Sequence, residues 1–370
     1  MKKQHNGIIS FWKFIYSLVI IIFHARVFSD PTTKIVLFSK GSIAVEFFFI
    51  VSGYLLAKSA LKTKLKENES LGKETLQFIF KKIKTFYPYI FMFYILTLIV
   101  TIIFEKLSLG KIISSVWNLL LLNIAGFKGI EINGVIWYIS AMLICMLILY
   151  PLIKKYRYNF IYIISPLIII LLGGYLNHNF NSLRTPYLWI GFANKVLLRA
   201  FLELNLGIIL YPISIYLSKI NFSKFGKIII TITSNICFMI PLFINHFLQN
   251  ASKYDYIILI ILSISILLAF STQTLDYKIM NNKISYFLEK LSLPMYLSHI
   301  FIRIVIINCE FLKKYSYNIK LLIFIVLTLI ISYMSLRLVE FLKNKKIISN
   351  IFQKLFLNSK GEKDEIYKCI

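Results

Sequence analysis

Long apolar blocks alternate with short, lysine-rich polar stretches along almost the whole chain. Each block is close to the roughly 20 residues that an α-helix needs to cross a hydrocarbon core of about 30 Å. The pattern predicts ten spans, at 8–28, 41–60, 85–104, 134–153, 160–176, 199–218, 227–248, 254–271, 292–311 and 319–340. The fifth and eighth are the shortest. Ser114–Phe127 is too short to cross and reads as an interfacial or re-entrant segment. The fold class is therefore an all-α polytopic membrane protein of about ten transmembrane helices. Residues 1–340 form one membrane domain, and 341–370 form a basic tail that starts as a helix lying on the membrane. The first block is expected to be a retained span and not a removable signal peptide, because His24 and Arg26 sit near its end and no small-x-small cleavage site follows. No soluble domain is expected on either side of the bundle.

Composition agrees with the pattern. Of 370 residues, 58% are hydrophobic and the mean hydropathy is +0.74, which is too apolar for a soluble protein of this length. The formal net charge of +26 raises the question of nucleic acid, and the distribution of the charge answers it. With the N-terminus inside, the loops on the cytoplasmic side carry 26 lysines and arginines, against 13 on the other side. This two-fold bias is the positive-inside rule, so the basic residues report orientation and contact with anionic membrane lipid, not a nucleic-acid partner. Both termini are expected in the cytoplasm. Cys145, Cys237, Cys309 and Cys369 have neither metal nor disulfide spacing, and no metal site is expected. No phosphate-binding loop, dinucleotide fingerprint or His-Glu-x-x-His motif occurs.

The polar residues inside the spans carry the chemistry, because ionisable groups in a bilayer are expensive unless they face protein or a water-filled cavity. Lys13 and His24 lie eleven residues apart in the first span. That spacing puts both on one helical face, separated by roughly 16 Å along the axis. The second span carries Glu46, which the opposed directions of the two helices place at nearly the depth of His24. A His24–carboxylate dyad follows as an expectation, with a structural ion pair elsewhere as the competing reading. Ser52-Gly53-Tyr54 lies deeper on that helix, where glycine permits close packing. Trp137-Tyr138-Ile139-Ser140 opens the fourth span and fits an interfacial aromatic belt. Arg199 and Glu203, four apart, fit either an ion pair or a ligand site, and His299 and Arg303, also four apart, fit a role facing an anion. Arg337 and Glu340 close the last span as an internal salt bridge.

Taken in order, these residues resemble the integral-membrane acyltransferase-3 family of bacterial O-acyltransferases, over nearly the whole chain. Lys13-x(10)-His24 is similar to the family's opening basic-x(10)-His motif. Val45-Glu-Phe-Phe-Phe-Ile-Val-Ser-Gly-Tyr54 resembles its acidic-x-Phe-Phe…Ser-Gly-aromatic signature, and Trp137-Tyr-Ile-Ser140 with Leu149-Tyr-Pro151 its Trp-aromatic-x-Ser…Tyr-Pro element. Arg199 to Gly207, Leu293-Pro-Met-Tyr-Leu-Ser-His299 and Arg337-Leu-Val-Glu340 are similar to its three later motifs. There are departures. Glu46 stands where many members have Asp, and Ala141 and Met142 stand where many carry acidic residues.

The resemblance implies transfer of an acetyl or other acyl group from cytoplasmic acyl-CoA, acetyl-CoA foremost, with no bound cofactor. The acceptor it implies is a hydroxyl of a cell-surface or lipid-linked glycan, the location a bacterial plasma (inner) membrane, and polysaccharide-assembly proteins are the implied partners. His24 would act as general base or acyl carrier with Glu46 orienting it. Lys13, Ser52, Tyr54, Trp137, Arg199, His299 and Arg303 would bind the donor or line the site. A proton-coupled transporter or flippase of a glycan or acylated substrate would use the same polar stripe as a relay, and a catalytically silent scaffold is a third reading.

Overall fold

The computed structural model describes residues 6–31, 33–64, 70–180, 182–184, 188–191, 193–248 and 251–345. The part of the basic tail from 346 onward lies outside the described residues.

Among the described residues nine helical stretches are long and apolar enough to cross a membrane. They contain ten long helices: α1 Gly7–His24, α2 Ala44–Leu61, α3 Leu71–Glu105, α4 Trp137–Asn159, α5 Ser165–Phe180, α6 Lys195–Ser218, α7 Lys224–Phe247, α8 Asp255–Phe270, α9 Lys283–Asn308 and α10 Tyr317–Asn344. The molecule is an all-α polytopic membrane protein. Its strand content among the described residues is a two-residue ribbon pairing Trp189–Ile190 with Ala193–Asn194.

The stretch Trp137–Phe180 holds both α4 and α5. As one straight helix its 44 residues would reach about 66 Å, over twice the hydrocarbon thickness. Arg157 breaks it, with φ 50° and ψ −123°, and a π-helical turn Phe160–Ile164 follows. Contacts at the two ends show a reversal. α4 starts beside Arg199, whose guanidinium lies 5.9 Å from the Trp137 ring. It ends where Lys154 donates to the Thr63 carbonyl at 2.9 Å and Arg157 to the Leu61 carbonyl at 3.3 Å. Beyond α5 the chain is back beside Arg199, which donates to the Leu183 carbonyl at 3.1 Å. The segment therefore doubles back, and among the described residues the nine apolar stretches hold ten long helices. Lys13 with Glu289 and Lys290 with Glu340 join the starts of α1 and α9 and the end of α10, so both termini of the bundle lie at one end.

Several helices extend beyond the apolar blocks. α3 starts at Leu71 because the Ser70 hydroxyl accepts from the Lys73 backbone N–H at 3.2 Å, capping a basic turn that precedes the apolar run. The segment expected at Ser114–Phe127 does not cross. It is a series of short turns whose Ile124 and Asn118 are buried, with left-handed backbone at Leu121 and Gly126.

α2 and α6 pack backbone against backbone, and two glycines set the contact. A Cβ at Gly53 would meet the Leu204 carbonyl oxygen at 2.0 Å, and one at Gly207 would meet that of Ile50 at 1.9 Å. In lipid, where water drives no association between apolar helices, such close backbone contact supplies the packing. Gly207→Ala is expected to force the pair apart and destabilise the fold by about 1–3 kcal/mol. A fall in the melting temperature of the detergent-solubilised protein checks it, and an unchanged melt would refute the interlock. The contact also fixes the rotation of α2, which decides where Glu46 points.

Candidate active site

α1 begins at the Asn6 cap, whose side chain accepts from the Ile9 backbone N–H at 3.1 Å, and ends at His24. The chain then tightens into a 3-10 turn, Ala25–Phe28. The His24 ring nitrogen Nδ1 lies 2.9 Å from the Ile20 carbonyl. A carbonyl only accepts, so Nδ1 carries the proton and Nε2 keeps its lone pair. Among the described residues Nε2 has no hydrogen-bond partner. His299, fully buried on α9, packs against His24 with ring centroids 4.8 Å apart. Its Nδ1 lies 3.3 Å from the Met295 carbonyl, and its Nε2 is buried without a partner. Two imidazoles thus sit side by side, each oriented by the carbonyl one turn back on its own helix.

This arrangement corrects the expected dyad. Glu46 makes no hydrogen bond or ion pair with His24; it is paired with Arg199 on α6. Arg199 Nε in turn donates to Glu203 Oε1 at 2.9 Å. Matching depth did not fix the azimuth: the glycine interlock turns Glu46 toward α6, away from α1. The Glu46–Arg199–Glu203 triad is 0–3% exposed, and of its members Arg199 reaches the cavity wall with the two carboxylates behind it. Beside it, Arg184 donates to Asp255 Oδ1 at 2.8 Å and to the Lys40 carbonyl at 3.1 Å.

A cavity of about 390 Å³ opens between these groups. His24, Arg199 and Trp137 line it, together with Arg26, Lys40, Arg184 and Tyr296. Tyr296 is held by a 2.7 Å hydrogen bond from its hydroxyl to the Val135 carbonyl. Of the expected site residues, the structure gathers His24, His299 and Arg303 in one cluster and Glu46, Arg199 and Trp137 in an adjoining one. Ser52 stands off the cavity wall, with its hydroxyl 3.3 Å from that of Tyr138. Tyr54 is further away in function: its hydroxyl meets Ser214 at 2.8 Å and its ring stacks on Phe270 at 3.6 Å. It packs the bundle and does not line the cavity.

Lys13 is also not free to hold a ligand. Its ammonium pairs with Glu289 at 2.5 Å, and Ser10 donates to the same carboxylate at 2.7 Å. Lys13→Met is expected to destabilise the fold by taking the ammonium away from the Glu289 carboxylate, and adding Glu289→Met should restore part of the loss. A melting series over the double-mutant cycle checks this. Were Lys13 a donor anchor, the double variant would recover stability but keep a raised KM for acyl-CoA. Glu340 bridges Lys290 at 2.6 Å and Arg337 at 3.6 Å, so the internal Arg337 pair is the weaker half of a three-residue group.

Sequence reasoning missed Arg26, Lys40, Arg184, Tyr296 and Asp255. Asp255 carried a signal as an acidic residue at the start of an apolar run, and Arg26 as a cation inside the expected first span, two residues after His24. Lys40 and Arg184 stand outside the spans, and Tyr296 looks like packing until the bundle closes.

No curated protein and no solved structure matches the chain. The family model described as an acyltransferase domain, Acyl_transf_3, matches residues 6–337, which include α1 to α9, most of α10 and every residue that lines the cavity. Nine helical stretches able to cross a membrane among the described residues, a tautomer-fixed histidine at a polar cavity and this match lead to one conclusion: the chain is a multi-pass membrane protein of the acyltransferase-3 family.

Proposed function

We propose that the protein moves an acetyl or related acyl group from cytoplasmic acyl-CoA to a hydroxyl of a cell-surface or lipid-linked saccharide, in a bacterial plasma membrane. The observation that carries this reading is the His24 imidazole, with Nδ1 committed to Ile20 and Nε2 uncommitted beside a cavity large enough for a sugar. The acceptor O–H gives its proton to Nε2 as its oxygen attacks the thioester carbonyl. The C–S bond then breaks, and the departing thiolate takes the proton from the imidazolium. In the alternative order, Nε2 attacks the thioester first and the C–S bond breaks to release the thiolate; the acceptor oxygen then takes the acyl group from Nε2, and its proton goes to the thiolate. The wall of Arg199, Trp137 and Tyr296 positions the acceptor, and positioning of this kind is a large part of catalysis in a two-substrate reaction.

The lysine-rich end of the bundle, where both termini lie, fits the cytoplasm by the positive-inside rule. Acyl-CoA is made there, and His24 lies roughly 16 Å from Lys13 toward the other end, a span that the pantetheine arm covers. The test is transfer of label from radiolabelled acetyl-CoA to saccharide by the purified protein in vesicles. Loss of an O-acetyl resonance from the surface glycan of a deletion strain is the cellular counterpart. Saccharide flux driven by a pH gradient, without any need for acyl-CoA, would replace this reading with a transporter.

A further inference from the structure

Every charged side chain that borders the His24 cavity is a cation: Arg26, Lys40, Arg184 and Arg199. They fall into two classes. Arg184 and Arg199 have buried carboxylates behind them, Asp255 for the first and Glu46 with Glu203 for the second. Arg26 and Lys40 are exposed and have no ion pair among the described residues. Arg26 instead lies over the Phe23 ring, with its guanidinium carbon 4.3 Å from the centroid. Arg303 adds to this unpaired charge. It stands one turn beyond His299, is an electrostatic neighbour of both Arg26 and His24, and its buried Nε has no hydrogen-bond partner. The carboxylate acting on it, Glu105, does so at longer range than an ion pair. The neighbourhood of His24 is therefore a neutralised wall on one side and unneutralised cations on the other.

A neutral sugar gains little from such a mouth. An anion gains charge-assisted hydrogen bonds and a field that draws it in. We infer that the His24 cavity takes an acceptor saccharide that bears its own anionic group, a phosphodiester or a carboxylate, with Arg26 and Lys40 as its counter-ions. The identity of the ligand as acceptor rests on the acyl-transfer reading; the anion preference does not. The phosphates of acyl-CoA are a poorer fit, because a donor entering from the lysine-rich end leaves them at that end when its thioester reaches His24.

The test uses the full-length protein in nanodiscs of neutral phosphatidylcholine. Three probes are compared by equilibrium binding: a hyaluronan tetrasaccharide (carboxylate), a glycerol phosphate oligomer (phosphodiester) and chitotetraose (neutral), with CoA as a control. At least one anionic probe is expected to bind tenfold or more tightly than chitotetraose. The stronger of the two identifies the anion. The Arg26→Gln, Lys40→Gln double variant should erase that gap and leave CoA binding unchanged. Equal binding of all three saccharides overturns the proposal. So does a double variant that weakens CoA in place of the anionic probe, which would assign the cations to the donor. Loss of the gap when anionic phospholipid is added to the disc would assign them to a lipid headgroup, and overturns it equally. An anionic probe that shows the gap but takes no label from acetyl-CoA supports the site and counts against the acyl-transfer reading.

Discussion

His24→Ala is expected to lower acyl transfer by a factor of about 10²–10⁴, the usual contribution of a positioned general base, with the protein still folded and in the membrane. The Nδ1–Ile20 hydrogen bond makes the forecast specific. It fixes the tautomer, so the only basic nitrogen is Nε2, and removal of the ring leaves no substitute at that position. His299 cannot take over, since its own Nε2 is enclosed. His299→Ala should act more weakly, by releasing the ring that packs on His24 at 4.8 Å. The base and acyl-carrier routes separate in a quench experiment. Wild-type protein given radiolabelled acetyl-CoA without acceptor holds label on the protein only if Nε2 carries the acyl group. Activity of the His24→Ala protein equal to wild type would remove His24 from the mechanism altogether.

Apolar periodicity made the ten long helices legible because lipid imposes length directly on sequence. It read helix starts less well. Ser70 and Asn282 cap α3 and α9 well before the apolar runs begin, and lysines on the exposed early turns made those turns look like loops. This misplacement hid the partner of Lys13, because Glu289 lies outside the expected ninth span but inside α9. The site was legible residue by residue and not pair by pair. Depth along a helix follows from counting residues, which is how His24 and Glu46 came to be expected at one level. Rotation about the helix axis follows from packing, and the Gly53–Leu204 and Gly207–Ile50 contacts set it from 150 residues away in the chain. The basic cavity mouth was least legible, since Lys40 and Arg184 come from separate connecting segments that meet only when α2, α6 and α8 are in place.

Arg199→Leu is expected to be the most damaging single change to stability, at about 3–5 kcal/mol. Arg199 is the shared cation of two carboxylates, Glu46 and Glu203, both 0% exposed. Without it two buried charges on adjacent helices lose their counter-ion, at the place where the α2–α6 interlock holds them close. Arg199→Lys should rescue little, because an ammonium holds its donors on one atom and cannot span the two carboxylates and the Leu183 carbonyl as the guanidinium fork does. Glu46→Gln should be far milder than Arg199→Leu, since Arg199 keeps Glu203. The decisive variant replaces Arg199, Glu46 and Glu203 together with leucine. A buried ion network exchanged for apolar residues of similar volume is often neutral for folding, so the triple variant should melt near the wild type. It should nevertheless lack acyl transfer, because the wall facing His24 is gone. Yield, monodispersity and melting temperature in detergent read the first half, and label transfer from acetyl-CoA reads the second. A triple variant that stays as unstable as Arg199→Leu would mean that the triad is needed for packing and not for charge balance. One that is both stable and active would mean that the polar wall takes no part in holding the acceptor.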